Sequence, residues 1–330
     1  MNELDRFLGA LDGSGIDQAI LADSGTAHMM VSGHQLLSQR QIPGLELASE
    51  STADGIRIAV RVLPNVRLVQ PLHLCFGVLH ATGRQFVETR LTLEEGAALR
   101  VVAHCFFPNA EQVEHRMAAA IAIGPGAQLR YDESHYHGPH GGVVVQPRAS
   151  VKVGKGGLYQ SDFSLTHGRV GKLDIDYEVE AVELAVVELT ARVFGHRVDS
   201  IKIRERLVLA GRGARGLIKT RVAVEDDATA EIIGITEGNS EGARGHVDCL
   251  EIVKDRAVAS ALPVVKVSHP QAKVTHEAAI GSVDHHQLET LMAHGLSPEE
   301  AVDLIVGGLL GRREEKGPSV ISFYPPDQAR

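Results

Sequence analysis

The chain has 330 residues, 44% hydrophobic and 23% charged, with a formal net charge of −9. That is length and apolar content enough for a substantial core, while the acidic balance excludes duplex nucleic acid as the main partner, because duplex binding depends on Lys and Arg neutralising phosphates. No apolar run approaches the roughly 20 residues needed to cross a bilayer, so no membrane association is expected.

The start, Met1-Asn-Glu-Leu-Asp-Arg6, lacks the basic residues and apolar stretch of a secretory signal. Three widely spaced cysteines, Cys75, Cys105 and Cys249, do not make a disulfide framework. Both features point to a reducing cytoplasm.

Residues 1–57 are read as a short, partly helical N-terminal region. Leu4, Leu8 and Leu11 recur at helical spacing with Phe7 on the same face, and Ile42-Pro-Gly-Leu-Glu-Leu leads toward the first clear strand. Residues 58–281 read as β throughout. Ile56–Val62, Ile201–Leu209 and Ile218–Val224 alternate apolar and polar residues, the period-2 mark of a half-buried strand, and glycine-rich turns separate them. Gly154-Lys-Gly-Gly157 and Gly211-Arg-Gly213 are such turns; neither has the spacing of a phosphate-binding loop.

A weak repeat runs through this region: a turn, then alanine, then a strand. It recurs at Ala97, Ala127, Ala149, Ala214, Ala228, Ala257 and Ala272. Spacings near 30 and near 15 suggest stacked coils in which each strand pairs with the one a coil away, with alanine at corners where coils approach closely. The fold class expected is mainly β, a right-handed parallel β-helix (solenoid) with a short N-terminal region and a C-terminal helical cap. A β-sandwich with glycine-rich turns is the alternative.

Two groups of residues could carry chemistry. His104-Cys105, His115 and Glu133-Ser-His135-Tyr-His137-Gly-Pro-His140 form a histidine-rich group. His135 and His137 share one strand face, a spacing that can chelate a metal. Read on its own, the set His104, Cys105, His135, His137 and His140 suggests a metal-dependent solenoid enzyme. Farther on, Cys249 offers a soft thiolate suited to iron or sulfide chemistry, and His276-Glu277 could complete the coordination of iron or accept the thiol proton. In a straight strand adjacent residues point to opposite faces. His276 and Glu277 can therefore both face Cys249 only through a bend, a bulge or a second chain. Asp174 and Asp176 read as a solvated strand face.

The period changes again at 282–312. Leu288, Leu291 and Met292 fall on one helical face closed by Gly295. Ser297, Pro298 and Glu300 then make an N-cap, first-turn proline and capping box, and Ala301, Leu304, Ile305 and Leu309 form a second apolar face. Residues 313–330 are expected to be an exposed tail.

The order and spacing of Arg244-Gly-His-Val-Asp-Cys249, Ser268-His-Pro-Gln-Ala272, Val274-Thr-His276-Glu277-Ala-Ala-Ile-Gly281, Gln287-Leu-Glu-Thr-Leu-Met292 and Gly295-Leu-Ser-Pro-Glu-Glu-Ala301 resemble the SufB/SufD family, scaffold proteins of the Suf iron–sulfur cluster assembly machinery. The resemblance covers roughly residues 56–312. It implies a non-enzymatic scaffold that builds a transient iron–sulfur cluster at Cys249, His276 and Glu277 across a subunit interface.

It also implies an ABC-type ATPase partner, SufC-like, docking on Leu288, Leu291, Met292, Pro298, Glu300, Leu304 and Ile305. The second scaffold subunit would be another copy of the chain, giving a homodimer, or a SufD-like paralogue. Cysteine, histidine and glutamate together make the chain SufB-like at the site. It departs from the longer SufB pattern in its compact N-terminal region, and Thr275 stands where an acid precedes the His-Glu pair. A SufD-like structural partner with a merely buried Cys249 is the remaining alternative. No four-cysteine cluster motif is present, so one chain alone cannot supply an all-cysteine cluster site.

Overall fold

In the computed structural model, residues 3–12, 23–53 and 55–311 are described. Helix α1 (Glu3–Asp12) precedes nineteen strands: β1 (His28–Ser32), β2 (Gln35–Arg40), β3 (Leu45–Ser51), β4 (Gly55–Val62), β5 (Leu72–Gly77), β6 (Thr82–Leu93), β7 (Ala98–Phe107), β8 (Gln112–Ile123), β9 (Gln128–His137), β10 (Val143–Val153), β11 (Leu158–His167), β12 (Lys172–Ala181), β13 (Val186–Gly195), β14 (Ser200–Leu209), β15 (Arg215–Val224), β16 (Thr229–Gly238), β17 (Arg244–Val253), β18 (Val258–Val267) and β19 (Lys273–Gly281). Helices α2 (His285–Ala293) and α3 (Pro298–Leu309) follow.

Odd and even strands separate into two sheets. From β4 and β5 onward each strand pairs in parallel with the strand two ahead, giving a ten-stranded sheet that ends β15–β17–β19 and a nine-stranded sheet that ends β14–β16–β18. This is the expected parallel β-solenoid, of about eight turns. The alternation of each strand explains it: one face is apolar and turns inward, and stacked coils bury that face as continuous rows. Ile175, Ile203, Ile232 and Ala261 make one such row, and the first three are at most 1% exposed. Full burial of side chains of this size stabilises by about 1.5–3 kcal/mol each.

The alanine repeat marks the corners. Ala97, Ala127, Ala185, Ala214 and Ala243 are fully buried at the turns from even to odd strands, and Ala228 and Ala257 are buried at two of the opposite turns. A coil therefore has two corners, and the two sequence spacings are a half coil and a full coil. Ala149 departs from this pattern: it lies inside β10, paired with Ala119 and Tyr177. Before the buried alanine along the even-to-odd edge stands a left-handed residue. Gly96, Gly126, Gly213 and Gly242 take it as glycine, but at the equivalent place Leu184 has φ 58°. The column is stitched by backbone bonds, with Gly96 N–H donating to the Pro125 carbonyl, Gly126 to Lys155, Leu184 to Arg212 and Gly213 to Glu241.

Outward rows carry ion pairs between coils, among them Arg100 with Asp132 at 2.7 Å and Arg148 with Asp174 at 2.8 Å. Asp176 pairs with Arg204. Asp174 and Asp176 thus serve coil stacking on the outer face.

The N-terminal region adds to both sheets. The β1–β2 hairpin extends the ten-stranded sheet and β3 extends the nine-stranded one, each through antiparallel pairing. The helix expected from Leu4, Phe7, Leu8 and Leu11 is α1; Phe7 and Leu11 are fully buried with Met30, Cys75 and Phe106, and Phe7 meets Phe106 edge-on at 4.6 Å. At the other end the last coil is open. Leu262, Val264, Val265, Val267 and Ile280, on β18 and β19, all stand exposed.

The described residues from Asp284 to Gly311 belong to a second compact unit. Ser297 caps α3 through the expected capping box with Glu300, and Pro298 occupies the first turn. Asp284 caps α2 by accepting from Gln287 N–H. The tail expected over 313–330 lies outside the described residues.

Candidate functional site

The last ladders of the ten-stranded sheet bring the Cys249 group together. Ala191, Thr220, Cys249 and Ala278 occupy one inward row across β13, β15, β17 and β19. The row on one side holds Leu189, Ile218, Val247 and His276; the row on the other holds Val193, Val222, Glu251 and Ile280. His276 and Glu251 therefore flank the cysteine row on the same face, His276 two residues before the ladder partner of Cys249 and Glu251 two residues after Cys249. Register between β17 and β19 is unbroken, so Glu277, paired with Asp248, faces outward. Cys249 is buried while His276 and Glu277 are exposed on the terminal strand.

Burial, followed by the neighbouring Glu251 carboxylate, pushes the Cys249 thiol up to about 12, against the opposing pull of a hydrogen bond with Thr220. Thr220 also donates to Glu205 Oε2 at 3.5 Å from the facing sheet. Glu205 is 2% exposed, and burial raises its carboxyl to about 8. Glu251 is fully buried with neither oxygen bonded, and burial raises it to about 7 although Arg221 pulls it down. On the outer face the Arg221 guanidinium holds Asp248 below the ordinary carboxylate range. The site thus combines a protonated soft ligand, an exposed imidazole and two interior carboxyls that titrate near neutrality. A soft metal could take the thiol sulfur and displace its proton.

Glu205, Thr220 and Glu251 were not singled out in the sequence. Glu251 had a signal, since it stands two residues from Cys249 on an alternating strand. Glu205 had none, because it comes from the other sheet.

The histidine-rich group divides. His135 and His137 face inward on β9, with Cys105 the ladder partner of His135 on β7. His115 projects inward from β8. Cys105, Glu133 and His135 are buried with potential ligand atoms all within 4.8 Å of one another. His104 lies in the outward row and bonds Ser134 Oγ at 3.0 Å, and His140 is exposed on the turn after β9. Neither joins the inner group.

Residues 78–309 match the family model described as SUF system FeS cluster assembly, SufBD core domain. The chain belongs to the SufBD family. It is 37% identical over 283 residues to the iron–sulfur cluster assembly SufBD family protein of Methanocaldococcus jannaschii, covering 86% of this chain and 90% of that one. Its identity to a SufBD family protein of Pyrococcus horikoshii is 32% over 297 residues, 90% of each chain. A SufBD family protein of Archaeoglobus fulgidus is 26% identical over 76% of this chain and 67% of its own.

Within this SufBD chain, Leu288, Leu291 and Ile305 are half-buried, Pro298 and Glu300 exposed, and Met292 and Leu304 are 41% and 55% exposed. Helix α2 has no buried residue. Among the described residues no helix is long and apolar enough to cross a membrane.

Proposed function

We propose that the chain is the scaffold subunit of a Suf-type complex, on which a nascent iron–sulfur cluster is assembled at Cys249 and His276 with a second subunit against the open end of the solenoid. One observation carries the reading: Cys249 and His276 share the inward face of the last ladder, where the final coil leaves that face uncovered. The cluster is cargo. A thiolate and an imidazole leave most of the coordination of an iron pair to sulfide and to the second subunit, which suits a cluster that must be released.

Cys249 rests as a thiol, so iron binding must expel its proton. Glu251, beside it with both oxygens unbonded, is the acceptor closest to that need. Glu277 faces outward and contributes only where a second chain reaches the outer face of β19. The exposed apolar side chains of β18 and β19 support burial against another copy or a SufD-like paralogue. Met292 and Leu304 support docking of a SufC-like ATPase, with nucleotide hydrolysis in that partner and the scaffold itself non-enzymatic in a cytoplasmic setting.

The test is anaerobic reconstitution with ferrous iron and sulfide, followed by visible absorption. Sulfide-to-iron charge-transfer bands in the wild type that vanish in Cys249→Ser support the scaffold. Equal spectra in both proteins remove Cys249 from the site.

A further inference from the structure

About eight coils of apolar rows make the interior inhospitable to charge, yet near its N-terminal end it holds an unusual density of donors. Glu133 is 5% exposed, and His135 Nε2 lies 2.7 Å from its Oε1. That bond leaves His135 Nδ1 buried without a partner. Cys105, 1% exposed, is paired in register with His135. Across the interior, His115 is fully buried with both ring nitrogens unbonded, its ring 6.0 Å from that of His135.

Buried polar atoms without partners are rare in folded proteins and ask for a missing ligand. An uncompensated buried carboxylate is costlier still. The donor set is a thiol, a carboxylate and imidazoles, the combination that binds zinc or ferrous iron in tetrahedral geometry. Charge closes as well: a divalent cation balances one thiolate and one carboxylate, and the histidines remain neutral.

We propose that Cys105, Glu133 and His135, completed by His115, form an internal site for a divalent transition-metal ion such as Zn2+, separate from Cys249 and structural in role. His137 supports it. Its Nδ1 lies 2.9 Å from the Arg169 carbonyl oxygen, and its ring packs 5.6 Å from His135 edge-on, fixing the orientation of the neighbouring imidazole. Phe107 closes the other side, its ring 4.9 Å from His115 and 5.4 Å from His137. Binding replaces the Cys105 S–H bond by a sulfur–metal bond, its one proton passing to solvent as the coils close during folding, while the Glu133 carboxylate and the neutral imidazoles bind through lone pairs and release none. No redox change is involved.

The experiment uses the full chain carrying Cys249→Ser, so that failure of the scaffold reading and failure of this one stay distinct. It is produced in zinc-limited medium containing Co2+, and metal content and near-ultraviolet and visible absorption are measured. The expected result is one cobalt per chain with a thiolate-to-cobalt charge-transfer band. A further Cys105→Ser change abolishes the band, and His115→Ala lowers retention against a chelator by roughly 10–100-fold. Folded Cys249→Ser protein holding neither cobalt nor zinc overturns the proposal without recourse to the second variants, as does a charge-transfer band that survives Cys105→Ser.

Discussion

His276 lies one diagonal step from Cys249 on the inward face of the last ladder, while its sequence neighbour Glu277 stands opposite Asp248 on the outward face. With strands about 4.8 Å apart and a rise of about 3.3 Å per residue, that diagonal spans about 8 Å between backbones, within reach of a small metal–sulfide unit between the two side chains. His276→Ala should therefore lower iron retained after reconstitution nearly as far as Cys249→Ser does. Glu277→Ala should match the wild type when the chain is monomeric and fall short only in the assembled complex. Iron-to-protein ratios, measured beside size-exclusion profiles, decide this; Glu277→Ala failing in a monomer would place its carboxylate inside the site.

Asp199 is a different kind of buried acid, fully satisfied. It accepts from Arg169 Nε and a terminal guanidinium nitrogen at 3.0 and 2.7 Å and from the backbone N–H groups of Val170, Gly171 and His196 at 3.0 Å each. It thereby ties the β11–β12 turn to the corner leading into β14. Asp199→Ala strands Arg169 and three amides, and should cost about 3–5 kcal/mol, read from the denaturation midpoint. A loss below about 1 kcal/mol would show that the network carries no stability.

Acid should unfold the protein early. Burial pushes His73 down to about 4 and His137 down to about 3. The folded state keeps both neutral while the unfolded chain protonates them below about 6.5. Stability is therefore lost as pH falls from about 6.5 toward 4, by about 1.4 kcal/mol per unit for each histidine, or about 2 kcal/mol each at pH 5. The melting temperature followed from pH 7 to 5 should drop steeply. Replacing His137 by Asn should flatten that slope.

Glu205 acts on the other side of neutrality. Its carboxyl stays protonated in the folded state up to about 8, whereas the unfolded chain releases the proton above about 4.5. Each pH unit climbed between those values weakens the fold by about 1.4 kcal/mol. Glu205→Gln should thus raise the melting temperature at pH 7.5 and leave it unchanged at pH 4.5. Equal shifts at both values would show that its charge state is irrelevant to stability.

Leu184 sits in a column built mainly on glycines, with Asn65 at its first turn, at φ 58° and 52% exposed. Left-handed backbone costs an ordinary residue about 1–2 kcal/mol, part of which is offset by the greater entropy of glycine in the unfolded chain. Leu184→Gly should stabilise by about 0.5–1 kcal/mol. Destabilisation would mean that the leucine side chain, resting over Gly213, contributes more through packing than its backbone loses.

Much of this architecture was legible because a solenoid repeats its own signals. The alternation at Ile201–Leu209 and the alanines at half-coil spacing each report one corner or one face, and the next coil says the same again. Ala149 misled because its neighbours imitate a corner while its strand runs straight through. Cys249 and His276 were legible by type and spacing, and period-2 alternation fixed that Glu277 must point away. Glu205 was not legible, because its approach to Thr220 depends on how two sheets face one another, and no local pattern encodes that. The same alternation sets His104, the sequence neighbour of Cys105, on the opposite face, whereas the pairing of Cys105 with His135 follows only from the register of β7 against β9.

Because coil follows coil in register, distance along the molecule is counted in whole steps. Cys105 on β7 and Cys249 on β17 are five ladder steps apart, about 24 Å at the usual strand spacing. The chain is in effect a ruler graduated in units of 28–30 residues. Excising one central coil would shorten it by one graduation, bringing the two ends closer by about 4.8 Å while leaving the local chemistry of each untouched. Evolution or design can thus reset the separation between one interior group and the other without rebuilding either.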